Sequence, residues 1–449
     1  MVAGFMTLLD VSIVNVALPS IRTGLHATQS DLQWVLSGYA LTFGLVLVPS
    51  GRFGDARGRR PVFIAGLALF TLASAGAGVA PSALALVLAR LVQGVAGGIV
   101  NPQISGLIQQ LFRPAERGRP FGLLGAVIGV STAIGPLLGG LLIQVAGTAE
   151  GWRWVFYVNL PVGIVAIVLA YRLIPVRPVE HRRQESLDPV GVLLLGTGVL
   201  LLLLPLVQEQ QWRGAGKWLL VPLSVAVLTG FVGWERRYAR RATPVIDLSL
   251  FRLRSYALGA LIALLYFAGF TAIFFIFTLY LQAGLGYSAL QAGVAITPFA
   301  LGSAAAAALG GRVVVRLGRP LIAGGLVMVA VGLSAVIVAD ALVPAHGVAF
   351  ATAGPFLVAG IGSGLVIAPN QTLTLAEVPV RGAGSAGAVL QTGQRIGTAI
   401  GIASVGSVFF ARLAGTHGDW AQAFRHALVV AIGFVLVSLV AALVDIARR

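Results

Sequence analysis

The sequence predicts an all-α membrane protein of fourteen spans, built as two six-helix bundles with a two-helix hairpin inserted between them. Three observations carry that reading. The chain is 57% hydrophobic and only 10% charged, its apolar runs have the length of membrane helices, and a basic, glycine-rich loop occurs twice. Soluble domains carry about 25% charged residues, so a chain with mean hydropathy +0.93 belongs in a bilayer. An α-helix crosses the hydrocarbon core in about 20 residues, and only helices or closed barrels satisfy their backbone groups there. The runs are too long for barrel strands.

The spans lie near residues 2–21, 32–50, 61–80, 82–106, 120–143, 154–174, 188–207, 217–234, 255–281, 287–310, 320–339, 347–370, 383–410 and 425–446. The first is not a cleavable signal peptide, because it lacks a basic leader and carries Asp10 in its apolar core. It starts almost at Met1, as expected if a short leader precedes it in the natural chain.

Basic residues orient the bundle. One side carries Arg52, Arg57, Arg59 and Arg60; Arg113, Arg117 and Arg119; Arg172, Arg177, Arg182 and Arg183. The same side holds Arg236, Arg237, Arg240, Arg241, Arg252 and Arg254; Arg312, Arg316 and Arg319; Arg381, Arg448 and Arg449. The other carries only Arg22, Arg153, Arg213, Lys217, Arg412 and Arg425. The arginine-rich side is read as cytoplasmic, with both termini there. Topology therefore accounts for the net charge of +16. Charge scattered through short loops is no nucleic-acid surface. Trp34, Trp152, Trp154, Trp212, Trp218 and Trp420 fall near outer span ends and Trp234 near an inner one, as in an interfacial belt. With no cysteine, neither disulfides nor thiolate metal sites are available. Scarce lysine and abundant alanine read as a GC-rich bacterial genome, hence a bacterial plasma membrane.

SGRFGDARGRRP (50–61) joins spans 2 and 3, and GGRVVVRLGRP (310–320) joins spans 10 and 11. Gly51, Gly58 and Arg59 align with Gly311, Gly318 and Arg319, while Asp55 aligns with Val315. Two halves related this way leave spans 7 and 8 over. The expected domains are an N-terminal bundle (1–176), an inserted hairpin with its linkers (177–254) and a C-terminal bundle (255–449). Repeated halves around a site near the bilayer midplane are a transporter design.

Five stretches carry a family resemblance that covers essentially the whole chain. LDVSIVNVALP (9–19), GRFGDARGRRP (51–61), LARLVQGVAGG (88–98), GVSTAIGPLLGG (129–140) and WRWVFYVNLPVG (152–163) resemble motifs of the 14-spanner drug:proton antiporter branch of the major facilitator superfamily. The loop motif alone indicates only the superfamily. The first-, fifth- and sixth-span motifs together are more specific. The resemblance implies the major facilitator fold and a proton-driven multidrug or antibiotic efflux transporter.

Each motif also has a physical reading. Gly51, Gly54 and Gly58 permit a tight, closely packed turn. Asp55 can cap a neighbouring helix start or pair with Arg59 or Arg60. The plainer reading is a topogenic basic loop, whereas the resemblance implies a latch for the outward-facing state. Val315 in the second copy makes that latch one-sided. Gly135 and Pro136 are expected to kink span 5, and Gly129, Gly135, Gly139 and Gly140 to permit close helix approach. The exporter meaning of this stretch comes from the resemblance.

Arg90 lies about 12 Å inside span 4 at about 1.5 Å per residue, where a guanidinium faces a partner, faces water or snorkels outward. The resemblance assigns it to proton coupling and places Gln93 on the same helix segment. Asp10 lies about 18 Å from Arg22 by the same rise, close to the midplane. Burial disfavours a carboxylate's charged form and a nearby cation favours it. A carboxylate that meets water on alternate sides can therefore exchange a proton against a cationic drug. The alternative is a buried structural hydrogen bond to Asn15 or a neighbouring serine or threonine. Arg395 in span 13 can be a structural pair, a snorkelling group or a coupling group. No membrane-embedded acid is expected in spans 9 to 14; since some members of the family it resembles carry extra acids there for dicationic drugs, the resemblance implies neutral, anionic or singly charged cargo.

The resulting expectation is a proton-coupled efflux antiporter for amphipathic small molecules, drug or antibiotic. It needs no cofactor or metal, is driven by the proton gradient, and works as a monomer in the lipid bilayer without nucleic acid. The alternatives are a metabolite or nutrient symporter and, from another class, a non-transporting sensor or assembly partner. No metal cluster, nucleophile triad or phosphate loop suggests an enzyme.

Overall fold

A computed structural model describes residues 1–147, 150–175, 188–207, 212, 214–416 and 418–447, apart from the side chains of Gln29, Ala289 and Arg381. Arg177, Arg182, Arg183, Arg213, Arg448 and Arg449, used above to orient the chain, lie outside the described residues, as does the expected boundary at 176–177. The described secondary structure is entirely helical. Fourteen segments are long and apolar enough to cross a membrane: Val2–Gly24, Ser30–Arg57, Arg59–Gly78, Ala83–Leu111, Pro114–Ala146, Gly151–Leu173, Pro189–Leu206, Ala215–Tyr238, Arg254–Gly284, Leu290–Leu317, Arg319–Leu342, Ala345–Thr374, Ala383–Gly415 and Trp420–Ala447. They are spans 1 to 14 below, and they match the expected number and order.

Local chemistry starts and stops these helices at repeated positions. Thr28 and Asp31 form a capping box at the start of span 2: the Asp31 N–H donates to Thr28 Oγ1 at 3.2 Å and the Thr28 N–H donates to Asp31 at 2.9 Å. Ser288 and Gln291 do the same at the start of span 10, at 3.2 and 2.8 Å. Such reciprocal bonds satisfy two otherwise orphaned donors. Spans 2 and 10 then end on Gly58 (φ +99°) and Gly318 (φ +60°), a region open to glycine at little cost.

The described chain forms two compact units, one of residues 1–111, 138–252 and 378–392, the other of 112–137, 253–377 and 393–449. The first has a core that includes Ile13, Ala17, Leu86, Trp152 and Phe156. Trp152 is completely buried there, so it is a core side chain and not an interfacial one. The second unit buries Tyr266, Phe277, Phe299, Phe356 and Phe424; Phe356 meets Phe277 and Phe299 edge-on, with Phe277–Phe356 centroids 4.6 Å apart, and Phe277 meets Phe424 tilted.

Close helix approach in span 5 meets expectation at Gly129 and at Gly139, where a Cβ would stand 2.9 Å from the Ile13 side chain, but not at Gly140. Pro136 sits inside an unbroken helix, and Gly135 is buried. Gly140 meets nothing: a methyl group there has no neighbour within 4 Å. The tight seam lies earlier in span 5, at Gly118, Gly122, Gly125 and Gly129, against Gly311, Ala307, Ala304 and Ala300 of span 10. A methyl on Gly122 would stand 2.7 Å from the Ala307 carbonyl oxygen and 2.9 Å from Gly311 Cα. Backbone atoms cannot yield as side chains do. Gly122→Ala should therefore destabilise the protein by about 1–3 kcal/mol, the usual range for overpacking, whereas Gly140→Ala should leave stability unchanged. Thermal denaturation of both variants in detergent checks the pair.

Candidate functional site

Five spans of the first unit converge on Asp10, which is fully buried. Arg90 of span 4, only 1% exposed, donates to Asp10 Oδ2 at 2.6 Å and forms an ion pair with it. Gln93 Nε2 donates to Oδ1 at 2.9 Å, as does Asn159 Nδ2 of span 6, also at 2.9 Å. Ser74 of span 3 accepts from both amides, at 3.2 and 3.0 Å, and donates to the Phe156 carbonyl at 3.0 Å. Span 2 closes the site: Arg90 Nε donates to the Val35 carbonyl at 3.1 Å, and Arg90 Cζ lies 4.2 Å from the Tyr39 ring centroid.

Sequence spacing explains the convergence on span 4. Arg90 and Gln93, three residues apart, project from one helix face. Beside them Gly94 lets span 4 lie against span 2, since a Cβ there would strike Tyr39 and Thr42. Thr42 Oγ1 donates to the Leu91 carbonyl at 2.9 Å across the same contact. A buried charge is tolerated when paired and hydrogen-bonded. Arg90 also has acceptors besides Asp10, with Gln93 Oε1 at 2.7 Å and the Val35 carbonyl. Asn159 Oδ1 is buried and has no hydrogen-bond partner among the described residues.

Asp10 and Arg90, singled out separately by the sequence, are thus direct partners, and Gln93 joins them. Asn15 does not: it is exposed and donates to the Val11 carbonyl of its own helix at 3.0 Å. Sequence reasoning missed Asn159, although it lies in a quoted motif, and Ser74. Arg395 is half-buried on span 13.

The loop after span 2 forms a second constellation in the same unit. Asp55 Oδ1 accepts from Arg59 Nε and Nη2 at 3.1 and 2.7 Å and from the Gly384 N–H at 3.1 Å. Its Oδ2 accepts from the Ser385 N–H and Oγ at 2.9 and 2.8 Å. Asp55 therefore caps the start of span 13 while paired with Arg59. Arg59 also donates to the carbonyls of Val380 and Gly106, at 2.6 and 3.2 Å. Gly51 permits the contact, because a Cβ there would stand 2.7 Å from the Gly384 carbonyl oxygen. Arg60 is not a partner of Asp55; it donates to the Tyr171 carbonyl at 2.6 Å and lies over the Tyr171 ring.

In the second unit Arg319, the counterpart of Arg59, pairs with Asp445 at 2.6 Å and donates to Asn370 Oδ1 at 2.8 Å. Asp340 of span 11, with a fully buried side chain, accepts from Tyr280 Oη at 2.7 Å and lies 3.6 Å from Arg425. The expectation of no embedded acid in spans 9 to 14 is therefore wrong. Asp340 falls one residue beyond the expected end of span 11 at 339. Asp445 lies at the end of span 14, where a solvated reading costs nothing in sequence terms. The restriction of cargo charge drawn from their absence loses its basis.

Fourteen spans around a buried intramembrane ion pair mark a multi-pass membrane protein. The chain belongs to the Major Facilitator Superfamily, whose family model matches residues 1–402. It is 37% identical over 415 residues to a probable actinorhodin transporter of Streptomyces coelicolor, covering 92% of this chain and 71% of that protein. It is 32% identical to a tetracenomycin C resistance and export protein of Streptomyces glaucescens, covering 93% and 76%. A cephamycin export protein of Amycolatopsis lactamdurans is 34% identical, covering 97% and 88%. The fold is that of the human organic anion transporter MFSD10, at TM-score 0.67 and 16% identity over 98% of each chain. The proton:xylose symporter XylE matches at TM-score 0.65 and 16% identity, covering 96% and 93%.

Proposed function

We propose that this protein is a proton-coupled antiporter that exports amphipathic small molecules, drug or antibiotic, across the bacterial plasma membrane, with both termini cytoplasmic. The observation that carries the reading is the buried Asp10–Arg90 pair. An intramembrane ionisable residue is by default a functional group, because its desolvation is costly. The export direction is supported by relatives named as antibiotic transport or export proteins.

In this reading Asp10 carries the proton. When it is ionised, Arg90, Gln93 and Asn159 saturate it. When it is protonated, Arg90 retains Gln93 Oε1 and the Val35 carbonyl as acceptors. Rotating the Asn159 amide would then offer its spare Oδ1 to the new O–H. The site thus keeps hydrogen-bond partners for both side chains in either protonation state, while protonation leaves the Arg90 charge to neutral acceptors, a cost that a cationic or conformational partner must offset. Asp55 and Arg59, bound to the start of span 13, act as the latch of one of two alternating conformers. The protein acts as a monomer.

Everted vesicles or proteoliposomes test the coupling and its direction. An imposed gradient, acidic inside, should drive uptake of an amphipathic substrate in exchange for protons. Uptake driven only by the opposite gradient would mean symport, and uptake insensitive to either would remove protons from the mechanism.

A further inference from the structure

We infer that Arg236, Arg237, Arg240 and Arg241, at the end of span 8, form a binding site for the anionic headgroup of a phospholipid. The four guanidinium side chains and Gly233 line one cavity of about 390 Å³. All four arginines are exposed. None of them forms a salt bridge with an acid among the described residues, unlike Arg59, Arg90 and Arg319. A topogenic role alone needs basic residues near a span end; it does not need them gathered around one hollow that no acid of the described residues neutralises. Guanidinium forks match phosphate oxygens.

The surroundings fit a lipid and not a free anion. Trp234 and Tyr238 stack at 6.0 Å on the same turn, and Trp234 Nε1 donates to Asp188 at 3.0 Å, which fixes an aromatic pair at the depth where membrane interfaces place them. Span 8 is the least enclosed of the fourteen, with 17% of its apolar window buried, so most of its surface faces lipid. Ala226, Gly230 and Gly233 are exposed, and the two glycines have open space beside them. At 100° per residue these three lie on the face that ends in Arg237, and Arg240 and Arg241 follow in the turn after the helix. A phosphate held by the arginines would leave its acyl chain along that smooth strip. Among the described residues the inserted hairpin supplies none to the Asp10 cluster, and this gives it a separate task.

Native mass spectrometry of the full-length protein, released from detergent with equimolar phosphatidylglycerol and phosphatidylcholine, tests the site. Each arginine near an anionic surface is worth about fivefold in binding. Wild type should therefore retain phosphatidylglycerol preferentially, and R237Q/R241Q should lower that preference about thirtyfold. Because arginine loss can disturb topology, R236K/R237K/R240K/R241K, which keeps every charge, should stay within about fivefold of wild type. Equal retention of both lipids by wild type, or an unchanged preference in R237Q/R241Q, would overturn the site. Displacement of the lipid by millimolar inorganic phosphate would overturn the lipid as its occupant.

Discussion

Asp10→Asn and Arg90→Gln should each destabilise the protein by about 3–5 kcal/mol, the cost of stranding one partner of a buried ion pair. The double variant should recover much of that loss. In Asp10→Asn the guanidinium stays buried beneath Tyr39 with only neutral oxygens to hold it, those of Gln93, Val35 and the new amide. In Arg90→Gln the carboxylate keeps the two amide donors and loses its counter-charge. With both replaced, no charge remains in the cluster, and neutral amides can bond with one another. Denaturant or thermal unfolding in detergent gives the three values, and a coupling of at least 1 kcal/mol is expected for contacting residues. Strictly additive losses would mean that the two side chains do not act as a unit. Recovery of stability should bring no recovery of uphill transport, because the double variant has no titratable group at the site.

The second large effect is expected at Asp55. Every partner of its carboxylate is a donor: two Arg59 N–H groups, the Gly384 and Ser385 amides and the Ser385 hydroxyl. Asparagine is nearly isosteric, yet its NH₂ must face donors on one side. Charge-assisted bonds are worth about 1.5–3 kcal/mol each, and 1.4 kcal/mol is tenfold in a population. Asp55→Asn should thus lower the joined conformer between the loop and span 13 by about tenfold or more. Expression and insertion should persist while transport falls. Spin-label distances between the end of span 2 and the start of span 13 measure the shift. An unchanged distance distribution with normal transport would reduce Asp55 to a topogenic detail.

The bundle was legible in the sequence because hydropathy sees membrane spans directly, and a charge in the middle of an apolar run stands out. Asp10 and Arg90 were found that way, and Asp55 by the loop motif that occurs twice. Their pairing was less legible: Asp10 and Arg90 are eighty positions apart, and no local periodicity links different helices. Asn15 was a plausible partner by proximity in the chain, but five residues on a helix turn it some 140° away from Asp10. Asn159 and Ser74 escaped notice because neutral polar groups are cheap enough in a membrane helix to raise no alarm. Asp340 and Asp445 were hidden at span ends, where hydropathy cannot separate a buried acid from a solvated one. Close approach in span 5 was read correctly at Gly129 and Gly139 and wrongly at Gly140, which faces open space; Gly118, Gly122 and Gly125, on the same face as Gly129, were missed because the motif was read before helical spacing.

The central claim is that Asp10 carries the transported proton. Purified protein in weakly buffered detergent, given a substrate it exports, should release protons on binding, and the release should vanish in Asp10→Asn at matched protein levels. Asp10→Glu, which keeps the titratable group, should release protons with a shifted pH dependence. Exchange of a neutral substrate down its gradient should persist in Asp10→Asn, since alternating access needs no charge at that site. Undiminished, substrate-driven proton release by Asp10→Asn would contradict the account and leave the buried pair a structural one.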